Sequence, residues 1–358
     1  MSKALAVLLA VLAVWVSAAP AATPRRVSLP QLARSLVKAG APGAIVYVRT
    51  PTATRSGAAG FADRDAHRTM RASDRYRIAS VSKAFVSVVV LQLEAEAKLD
   101  IDDSVEKWLP GVVPNGAVIT LRELMNHTSG IYDYTEDPSF ATAILANPSA
   151  PWSPRALAAI GVAHDPYFAP GSNYHYSNTN YILLGLVVEA VTAKPLGQSL
   201  QERIFTPIGL TATSFPLGIE LDATFVHGYV SLNGSPLFDV TPLLSPSYAW
   251  AAGAIVSDAR DVTTFYRALL TGRLLRAAQL NEMKQATGVA GTYGLGISTT
   301  FTNCGRAFGH DGDFPGWRNE VVATANGKRQ AVVMVNVDDT FVSWSRIQSD
   351  AKRALCRG

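Results

Sequence analysis

The pattern of apolar and polar residues predicts a helix followed by strands at the start of the chain. Leucines recur at helical spacing across residues 28–40, from an N-cap candidate at Ser28 to a closing glycine. Residues 44–48 form a short apolar run typical of a buried strand, and residues 57–61 are predicted to be its partner. Apolar side chains cover most of the circumference of a predicted helix at 80–97, so we expect that helix to lie in the core.

The end of the chain contains the same kinds of element in the opposite order. Residues 293–299, 320–324 and 330–337 alternate or run apolar as strands do, and the Asn-Gly pair at 326–327 is typical of a hairpin turn. A final helix places four apolar side chains on one face, namely Trp344, Ile347, Ala351 and Leu355. The two ends together predict one antiparallel sheet flanked by N- and C-terminal helices.

The middle of the chain has a different character. Its helical patches are separated by long loops rich in Pro, Ser, Asn and Gly. These patches lie at residues 121–125, 155–163 and 181–191. We therefore expect an α+β fold in which residues of about 27–80 and 290–358 supply the sheet. A mostly helical region at about 98–252 would be inserted between them.

Composition and charge exclude several classes of protein. Hydrophobic residues make up 48% of the 358 residues and charged residues 17%, which is typical of a folded globular chain. The formal net charge of +4 is spread along the sequence without a basic run, so we expect no nucleic-acid partner. The six histidines include no His-Glu-x-x-His helix or comparable ligand cluster. We expect neither a bound metal nor another cofactor.

Residues 1–21 have the layout of a signal peptide. A positively charged start precedes an unbroken apolar run at 4–16, which is short for a membrane span. Small residues follow, and we expect cleavage near Ala18 to Ala21, leaving a domain of residues 22–358. An uncleaved anchor helix is the alternative, and the shortness of the run disfavours it. We predict an extracytoplasmic protein without a stable membrane anchor.

Cys304 and Cys356 are the two cysteines of the chain. Exported proteins usually pair such thiols, and a bridge here would tie the C-terminal helix to a hairpin. It would stabilise the fold by about 2–4 kcal/mol. Two free buried thiols are the alternative, and neither cysteine has a catalytic setting.

The first candidate for catalysis is the pair Ser80 and Lys83, at the start of the apolar helix. Residues three apart share a helix face, so the lysine amine can reach the serine oxygen. Burial lowers the pKa of a lysine, and a neutral amine can accept the serine proton. The same spacing occurs twice more, at Ser35/Lys38 and Ser349/Lys352. Those two pairs lie on amphipathic helices, where both side chains can face solvent.

Two further short motifs supply polar groups of the right kind. Tyr176 and Asn178 precede the helical patch at 181–191, where a tyrosine could relay a proton and an asparagine could hold a lysine. His310 and Gly312 fall in the strand region, where glycine allows close approach to the backbone. Either motif alone has an ordinary structural explanation, and the order of all three carries the argument.

Ser-x-x-Lys, Tyr-x-Asn and His-x-Gly in this order resemble the serine penicillin-recognising family, which includes D-alanyl-D-alanine carboxypeptidases and class C β-lactamases. The surrounding sequence is also similar to that family, in LRELMNHTSGIYDY at 121–134, FAPGSNYHYS at 168–177 and the segment 251–265. The resemblance extends from about residue 32 to residue 355. It implies a β-lactamase/transpeptidase-like fold.

The resemblance implies acyl transfer through a covalent ester on Ser80, with Lys83 and Tyr176 together moving the proton. It assigns the remaining motif residues to substrate binding, namely Asn178, His310, Gly312 and Asp313. The backbone N–H groups of Ser80 and Asp313 would form the oxyanion hole. Peptidoglycan stem peptides would be substrates and β-lactams acylating inhibitors.

One departure concerns Asp311 and Asp313. Carboxypeptidases of this family with a His-x-Gly motif often carry threonines at these two positions, where the hydroxyls help hold the terminal carboxylate of the substrate. Aspartates facing the pocket would repel that carboxylate, although both could turn away because they share one strand face.

Our main expectation from the sequence is a serine-type D-alanyl-D-alanine carboxypeptidase. An esterase, a D-amino-acid amidase or a class C-like β-lactamase of the same family is the alternative. A non-catalytic protein that binds penicillin or peptides is the alternative from another class.

Overall fold

The structure is a computed structural model that describes residues 26–219, 222–231, 235–286, 289 and 291–358. The predicted signal peptide at 1–21 lies outside the described residues, so its cleavage stays a prediction. Among the residues that are described, no helix is both long and apolar enough to cross a bilayer.

A seven-stranded antiparallel sheet forms the centre of the fold, in the order β3-β2-β1-β11-β10-β9-β8. Its strands are β1 (Gly43–Arg49), β2 (Thr54–Asp63), β3 (Arg68–Thr69), β8 (Ser298–Thr302), β9 (Gly305–Phe314), β10 (Trp317–Thr324) and β11 (Gln330–Val335). Two small ribbons join β4 (Tyr76–Arg77) to β7 (Val256–Ser257) and β5 (Tyr229–Val230) to β6 (Phe238–Asp239). The strands at the two ends of the chain therefore form one sheet, as predicted.

Helices lie on both faces of this sheet and in the long middle part of the chain. The α-helices are α1 (Leu29–Lys38), α2 (Ser82–Ala95), α3 (Val105–Trp108), α4 (Leu121–Met125), α5 (Pro138–Ala146), α6 (Pro154–Val162), α7 (Asn178–Thr192), α8 (Leu196–Leu200), α9 (Thr206–Ile208), α10 (Trp250–Gly253), α11 (Ala259–Leu270), α12 (Ala277–Lys284) and α13 (Trp344–Arg357). Single 3₁₀ turns lie at Ala79–Val81, Gly116–Val118, Tyr134–Glu136 and Pro246–Tyr248, and a π turn at Gln201–Phe205.

Alternation along the strands divides the core between the two faces of the sheet. On β11, Val333 and Val335 point toward α1 and α13, whereas Val332 and Met334 point toward α11 and the larger helical part. The α+β class predicted from the sequence is thereby confirmed. The proposed limits of the helical insert stay a prediction, and helices α11 and α12 follow its predicted end at residue 252.

A disulfide joins Cys304 to Cys356, with 5.5 Å between the two Cα atoms. Cys304 lies in the turn between β8 and β9, and Cys356 lies in α13. The bridge therefore ties the last helix to a hairpin of the sheet, as the sequence predicted.

The predicted helix at 80–97 is shorter than expected and begins differently. Ala79 has a left-handed φ of 50°, and the chain makes a 3₁₀ turn at Ala79–Val81 before α2 begins at Ser82. At the other end, the left-handed Ala97 follows the end of α2. Left-handed residues cannot continue a right-handed helix, so the helical stretch is confined between Ala79 and Ala97.

The strand predicted at 293–299 is wrong in its first part, because β8 begins only at Ser298. Gly296 has a φ of 80°, and a Cβ atom added there would lie 2.3 Å from the Ser87 hydroxyl oxygen. The chain bends at this glycine because it packs directly against α2. The apolar pattern that favoured a strand reflects burial of an irregular segment.

Candidate active site

Ser80 lies in the tight turn between β4 and α2. The left-handed conformation of Ala79 ends the extended segment that the Ile78 N–H anchors to the Ile255 carbonyl at 3.0 Å. A left-handed residue other than glycine costs free energy, and such residues concentrate at functional sites. The turn leaves Ser80 partly exposed, while the helix behind it is buried. The serine hydroxyl is thus presented at the surface of the core.

Lys83 is completely buried one helical turn behind Ser80. Its Nζ lies 2.9 Å from Ser80 Oγ, 2.8 Å from Asn178 Oδ1 and 2.8 Å from the Ala252 carbonyl oxygen. Burial lowers the pKa of Lys83 to about 7. A neutral amine has two N–H groups and one lone pair, and the two carbonyl oxygens can only accept. The lone pair of the neutral amine is therefore left for the Ser80 hydroxyl.

Asn178 is the first residue of α7, and a carboxylate fixes its orientation. Its Nδ2 donates to Asp133 Oδ2 at 2.9 Å, so its Oδ1 is turned toward Lys83. Asp133 is buried and also accepts from the backbone N–H of Thr135 at 2.9 Å. Its negative charge opposes the fall in the pKa of Lys83 that burial causes. Asp133 therefore acts on the amine both through Asn178 and through its charge.

Tyr176 covers the other side of the amine. Lys83 Nζ lies 4.8 Å from the centroid of the Tyr176 ring. The phenol oxygen is buried and makes no hydrogen bond of good geometry to the described residues, although the nearby Ser80 hydroxyl lowers its pKa somewhat. Burial outweighs this and raises the pKa of Tyr176 well above its ordinary value. The phenol is therefore neutral, and Lys83 is the group that can change protonation near neutral pH.

The His127 ring packs against the Tyr176 ring, with the two ring centroids 4.2 Å apart. Its Nδ1 accepts the backbone N–H of Ser177 at 3.1 Å, which leaves the ring proton of the neutral form on Nε2. Burial, with the Lys83 charge as a smaller contribution, lowers the pKa of His127 far below its ordinary value. This neutral ring fills the space behind the catalytic groups without adding a second positive charge.

His310 lies on β9 with its ring centroid 6.4 Å from that of Tyr176. Its Nε2 is 2.8 Å from Tyr293 Oη, and its Nδ1 is 2.6 Å from the Asp311 carbonyl oxygen. No hydrogen bond joins His310 to Lys83 within the described part of the chain. The histidine lies near the predicted groups, and its hydrogen bonds go to Tyr293 and to its own strand rather than to Lys83.

Gly312 lets β9 approach the turn that contains Ser80. A Cβ atom added at Gly312 would lie 2.3 Å from the Ile78 carbonyl oxygen and 2.6 Å from Asn319 Nδ2. A side chain at this position would force the strand and the turn apart. The glycine of the His-x-Gly motif is thus required by packing.

A cleft of about 530 Å³ opens above these groups, with Ser80, Tyr176, Asn178 and Asp313 among its lining residues. One wall of the cleft is apolar and comes largely from α5. The apolar lining residues include Tyr134, Phe140, Ala141, Ile144, Leu145, Tyr248 and Phe314. The cleft therefore offers a reactive hydroxyl at its floor and an apolar surface beside it.

A protein-family model described as Beta-lactamase matches residues 29–348. The chain belongs to this family. It is a serine hydrolase, as its homologues in the β-lactamase and penicillin-binding protein family are. Penicillin-binding protein 4* from Bacillus subtilis (strain 168) is 25% identical over 304 residues, which cover 78% of this chain and 64% of that protein. The chain spans 56% to 75% of the length of the first curated relatives that it matches.

Two solved structures are similar to this chain in both sequence and fold. The D-stereospecific amidohydrolase from Streptomyces sp. is 38% identical, with a TM-score of 0.83 over 90% of this chain and 97% of that chain. The D-amino acid amidase from Ochrobactrum anthropi SV3, complexed with L-phenylalanine amide, is 26% identical. Its TM-score is 0.80 over 92% of this chain and 97% of that chain.

The β-lactamase-family site includes groups that the motifs did not identify. The buried Asp133 and His127 both lie in the segment 121–134, whose similarity to the family was visible without any role for them. The Ala252 carbonyl is a backbone group, which no side-chain motif can indicate. The predicted residues Ser80, Lys83, Tyr176 and Asn178 do meet in one cleft, and their catalytic roles stay predictions.

Asp311 and Asp313 share one strand face, and the structure shows where each lies. Asp313 is exposed and lines the cleft above Ser80. Although the residue as a whole is exposed, partial desolvation of its carboxyl, together with nearby carboxylates, outweighs the Arg318 charge and raises the pKa of Asp313 to about 6. Asp311 lines a second cleft together with His310. Burial would raise its pKa as well, but contact with His310 outweighs this and lowers the pKa of Asp311.

The described residues form no candidate metal site. Within residues 26–219, 222–231, 235–286, 289 and 291–358, no group of three His, Cys, Asp or Glu side chains could hold a metal ion.

Proposed function

We propose that this β-lactamase-family hydrolase cleaves amides of D-amino acids with apolar side chains, through an acyl-enzyme on Ser80. One observation carries the proposal: the buried Lys83 amine lies 2.9 Å from Ser80 Oγ at the floor of an apolar cleft. An amine with a pKa of about 7 can take the serine proton at neutral pH, which the ordinary pKa of 10.5 would prevent.

In the first half of the reaction, Ser80 Oγ bonds to the amide carbon while its proton passes to the Lys83 lone pair. The carbonyl oxygen becomes an oxyanion, which the backbone N–H groups of Ser80 and Asp313 stabilise in this proposal. The C–N bond then breaks, and the amine leaves with a proton supplied from Lys83, directly or through the Tyr176 hydroxyl. Tyr176 is neutral throughout, because burial raises its pKa.

In the second half, water replaces the amine. Lys83 is neutral again after the leaving group has taken its proton, so it can accept a proton from water as the water attacks the ester carbon. The C–Oγ bond breaks, Ser80 regains its proton, and the carboxylic acid departs. Lys83 and Asn178 thus return to the arrangement described above.

The substrate class is supported by the cleft and by the relatives. The wall built from α5 can pack an apolar side chain beside Ser80. A D-stereospecific amidohydrolase and a D-amino acid amidase are among the structures that the chain resembles. These observations favour the amidase alternative over the carboxypeptidase that we expected first. Asp313 lines the cleft at a position where carboxypeptidases often have a threonine, so a terminal carboxylate would be repelled there.

Release of ammonia from D-phenylalanine amide and L-phenylalanine amide tests the proposal, with diacetyl-Lys-D-Ala-D-Ala as the carboxypeptidase substrate. We expect cleavage of the D-amide, with Ser80→Ala as the inactive control, and little release of D-alanine. Rapid release of D-alanine with no cleavage of either amide would overturn the assignment. Intact-mass spectrometry after exposure to a penicillin separates an enzyme from a binder, because an adduct lost in Ser80→Ala requires the nucleophile.

We also propose that the protein works outside the cytoplasmic membrane. The sequence of residues 1–21 supports export, and the Cys304–Cys356 disulfide fits an oxidising compartment. Mass analysis of the secreted protein tests this, and we expect an N-terminus near residues 19–22.

A further inference from the structure

Three carboxyl groups lie along one face of the β9–β10 hairpin. In the register of the two strands, Asp311 pairs with Glu320 and Asp313 pairs with Arg318. Paired residues and residues two apart on a strand share a face, so all three carboxyl groups point to the same side of the sheet. We call this set the acidic edge: Asp311, Asp313 and Glu320.

Glu320 is the unusual member of the acidic edge. It is 93% buried, and its Oε2 has no hydrogen-bond partner in the described part of the chain. It lines a polar cleft of about 310 Å³ together with Asp311 and several hydroxyl groups. Burial, and secondarily the Asp311 charge, raise the pKa of Glu320 to about 8. A buried carboxyl without a partner costs free energy, which a bound donor would recover.

Among the described residues no cation lies within 4.0 Å of Asp313 or Glu320, although the Arg318 charge lowers the pKa of Asp313 and the Lys352 charge lowers that of Glu320. Arg318 is completely buried, stacks 4.0 Å from the Trp344 ring and donates to the Val342 carbonyl at 2.6 Å. Lys352 also lines the polar cleft, yet among the described residues it forms no ion pair within 4.0 Å. The His310 ring contacts Asp311 at 3.3 Å and leaves Asp313 and Glu320 unpaired.

The acidic edge reaches the catalytic groups. Asp313 lines the same cleft as Ser80, and the Asp311 charge opposes the fall in the pKa of Lys83. Along β9, Asp311 and Asp313 are separated only by Gly312, which packs against the turn of the nucleophile. A molecule acylating Ser80 would therefore lie next to the acidic edge.

We propose that the acidic edge binds the ammonium group of the substrate and rejects substrates that place a carboxylate there. The inference rests on the proposed function for the position of the substrate, and it adds the charge that the substrate must carry. An ammonium group has three donors, which can reach more than one carboxylate.

The test compares D-phenylalanine amide with its N-acetyl and N-succinyl derivatives, which carry a positive, a neutral and a negative group at the same position. At pH 7 we expect kcat/KM to fall in that order, with a preference for the free amine over the N-acetyl compound of roughly tenfold or more. Because N-acetylation also adds bulk, the deciding quantity is the change in this preference in variants.

Asp311→Asn and Asp313→Asn keep the shape of each side chain and remove a charge that is present at pH 7, where the pKa of Asp313 is about 6 and that of Asp311 is lowered. Each should lower the preference for the free amine, Asp311→Asn by roughly tenfold, mainly through KM. Asp65→Asn removes a charge from the exposed β2–β3 turn and should leave the preference unchanged. Thermal unfolding shows whether each variant is folded, and if one of them does not fold, the other decides the test.

The inference is overturned if both folded variants keep the wild-type preference, or if the wild type cleaves the N-succinyl compound as well as the free amine. Cleavage of the corresponding methyl esters, with the same three groups on nitrogen, measures the preference for the free amine even if the protein cleaves no amide. Ester cleavage with a preference for the free amine, but without ammonia release from any amide, would sink the proposed amidase and support the acidic edge.

Discussion

On the side of the sheet covered by α1 and α13, the core consists of aliphatic side chains such as Val46, Val333 and Ile347. On the other side, an equally buried region contains Lys83 and His127, whose pKa values burial lowers. The first side follows the ordinary preference for apolar interiors, and the second departs from it at a cost in free energy. The aliphatic cluster serves stability, and the buried ionisable groups around Lys83 serve the proposed chemistry. Arg318 and Glu320 are buried polar residues on the α13 side as well.

Replacing Lys83 by Met should have the largest effect of the changes considered. It should lower the activity and raise the free energy of unfolding. Activity should fall by at least about 10³-fold, because the proposed mechanism uses Lys83 as the base for Ser80. The free energy of unfolding at pH 7 should rise by about 1–3 kcal/mol, because the buried amine is removed. Amide hydrolysis and thermal unfolding measure the two changes.

The pH dependence sharpens this prediction. The pKa of Lys83 is about 7 in the folded protein, against an ordinary value of 10.5, so the unfolded chain binds the proton more tightly. Between pH 7 and 10.5 the wild type should gain stability as pH rises, and the advantage of Lys83→Met should shrink. A constant advantage across this range would contradict the account. Lys38→Met, in the exposed Ser35/Lys38 pair, is the matched control and should change neither property.

On the aliphatic face, Ile347→Ala should reduce stability without affecting chemistry. The side chain is fully buried in α13, and its truncation should cost about 2–5 kcal/mol. Ile347→Val should cost about 0.5–1.5 kcal/mol. Urea unfolding measures both, and kcat/KM of the folded fraction should stay at the wild-type value. A loss of kcat/KM in Ile347→Val would mean that the two faces are coupled.

Removing the Cys304–Cys356 disulfide should also lower the stability of the face covered by α1 and α13, by a smaller amount. The double variant Cys304→Ser/Cys356→Ser should lose about 2–4 kcal/mol of stability. Reduction of the wild type with dithiothreitol should shift its melting temperature in the same direction. If dithiothreitol lowers the melting temperature of the double variant as well, the shift does not arise from this disulfide.

Asp133→Asn should give the smallest effect, a shift in the pH profile of the catalytic face. Lys83 must lose its proton to act, so kcat/KM should rise with pH through an apparent pKa near 7. Removal of the Asp133 charge should move this rise to lower pH by less than about one unit, because that charge favours the protonated amine. Asp65→Asn should leave the profile in place. A shift to higher pH would contradict the role given to Asp133.

The features that could be predicted from the sequence are those that depend only on residues close together along the chain. Ser80 and Lys83 were found because a three-residue spacing on an apolar helix has one structural consequence. The irregular segment before β8 was not predicted, because the chain bends at Gly296, which packs against the sequence-distant Ser87. The Ala252 carbonyl and the Asp133 contact to Asn178 depend on where loops return in space. The orientation of Asp313 likewise needed the register of β9 against β10.

Gly312 sets a practical limit on engineering this enzyme. Libraries that seek new amide substrates can vary Asp311 and Asp313, whose side chains lie along the two clefts. The residue between them has to remain without a side chain, since even one methyl group would collide with the Ile78 carbonyl. Substrate selectivity can therefore change through Asp311 and Asp313. The distance between β9 and the Ser80 turn depends on Gly312, which cannot be replaced.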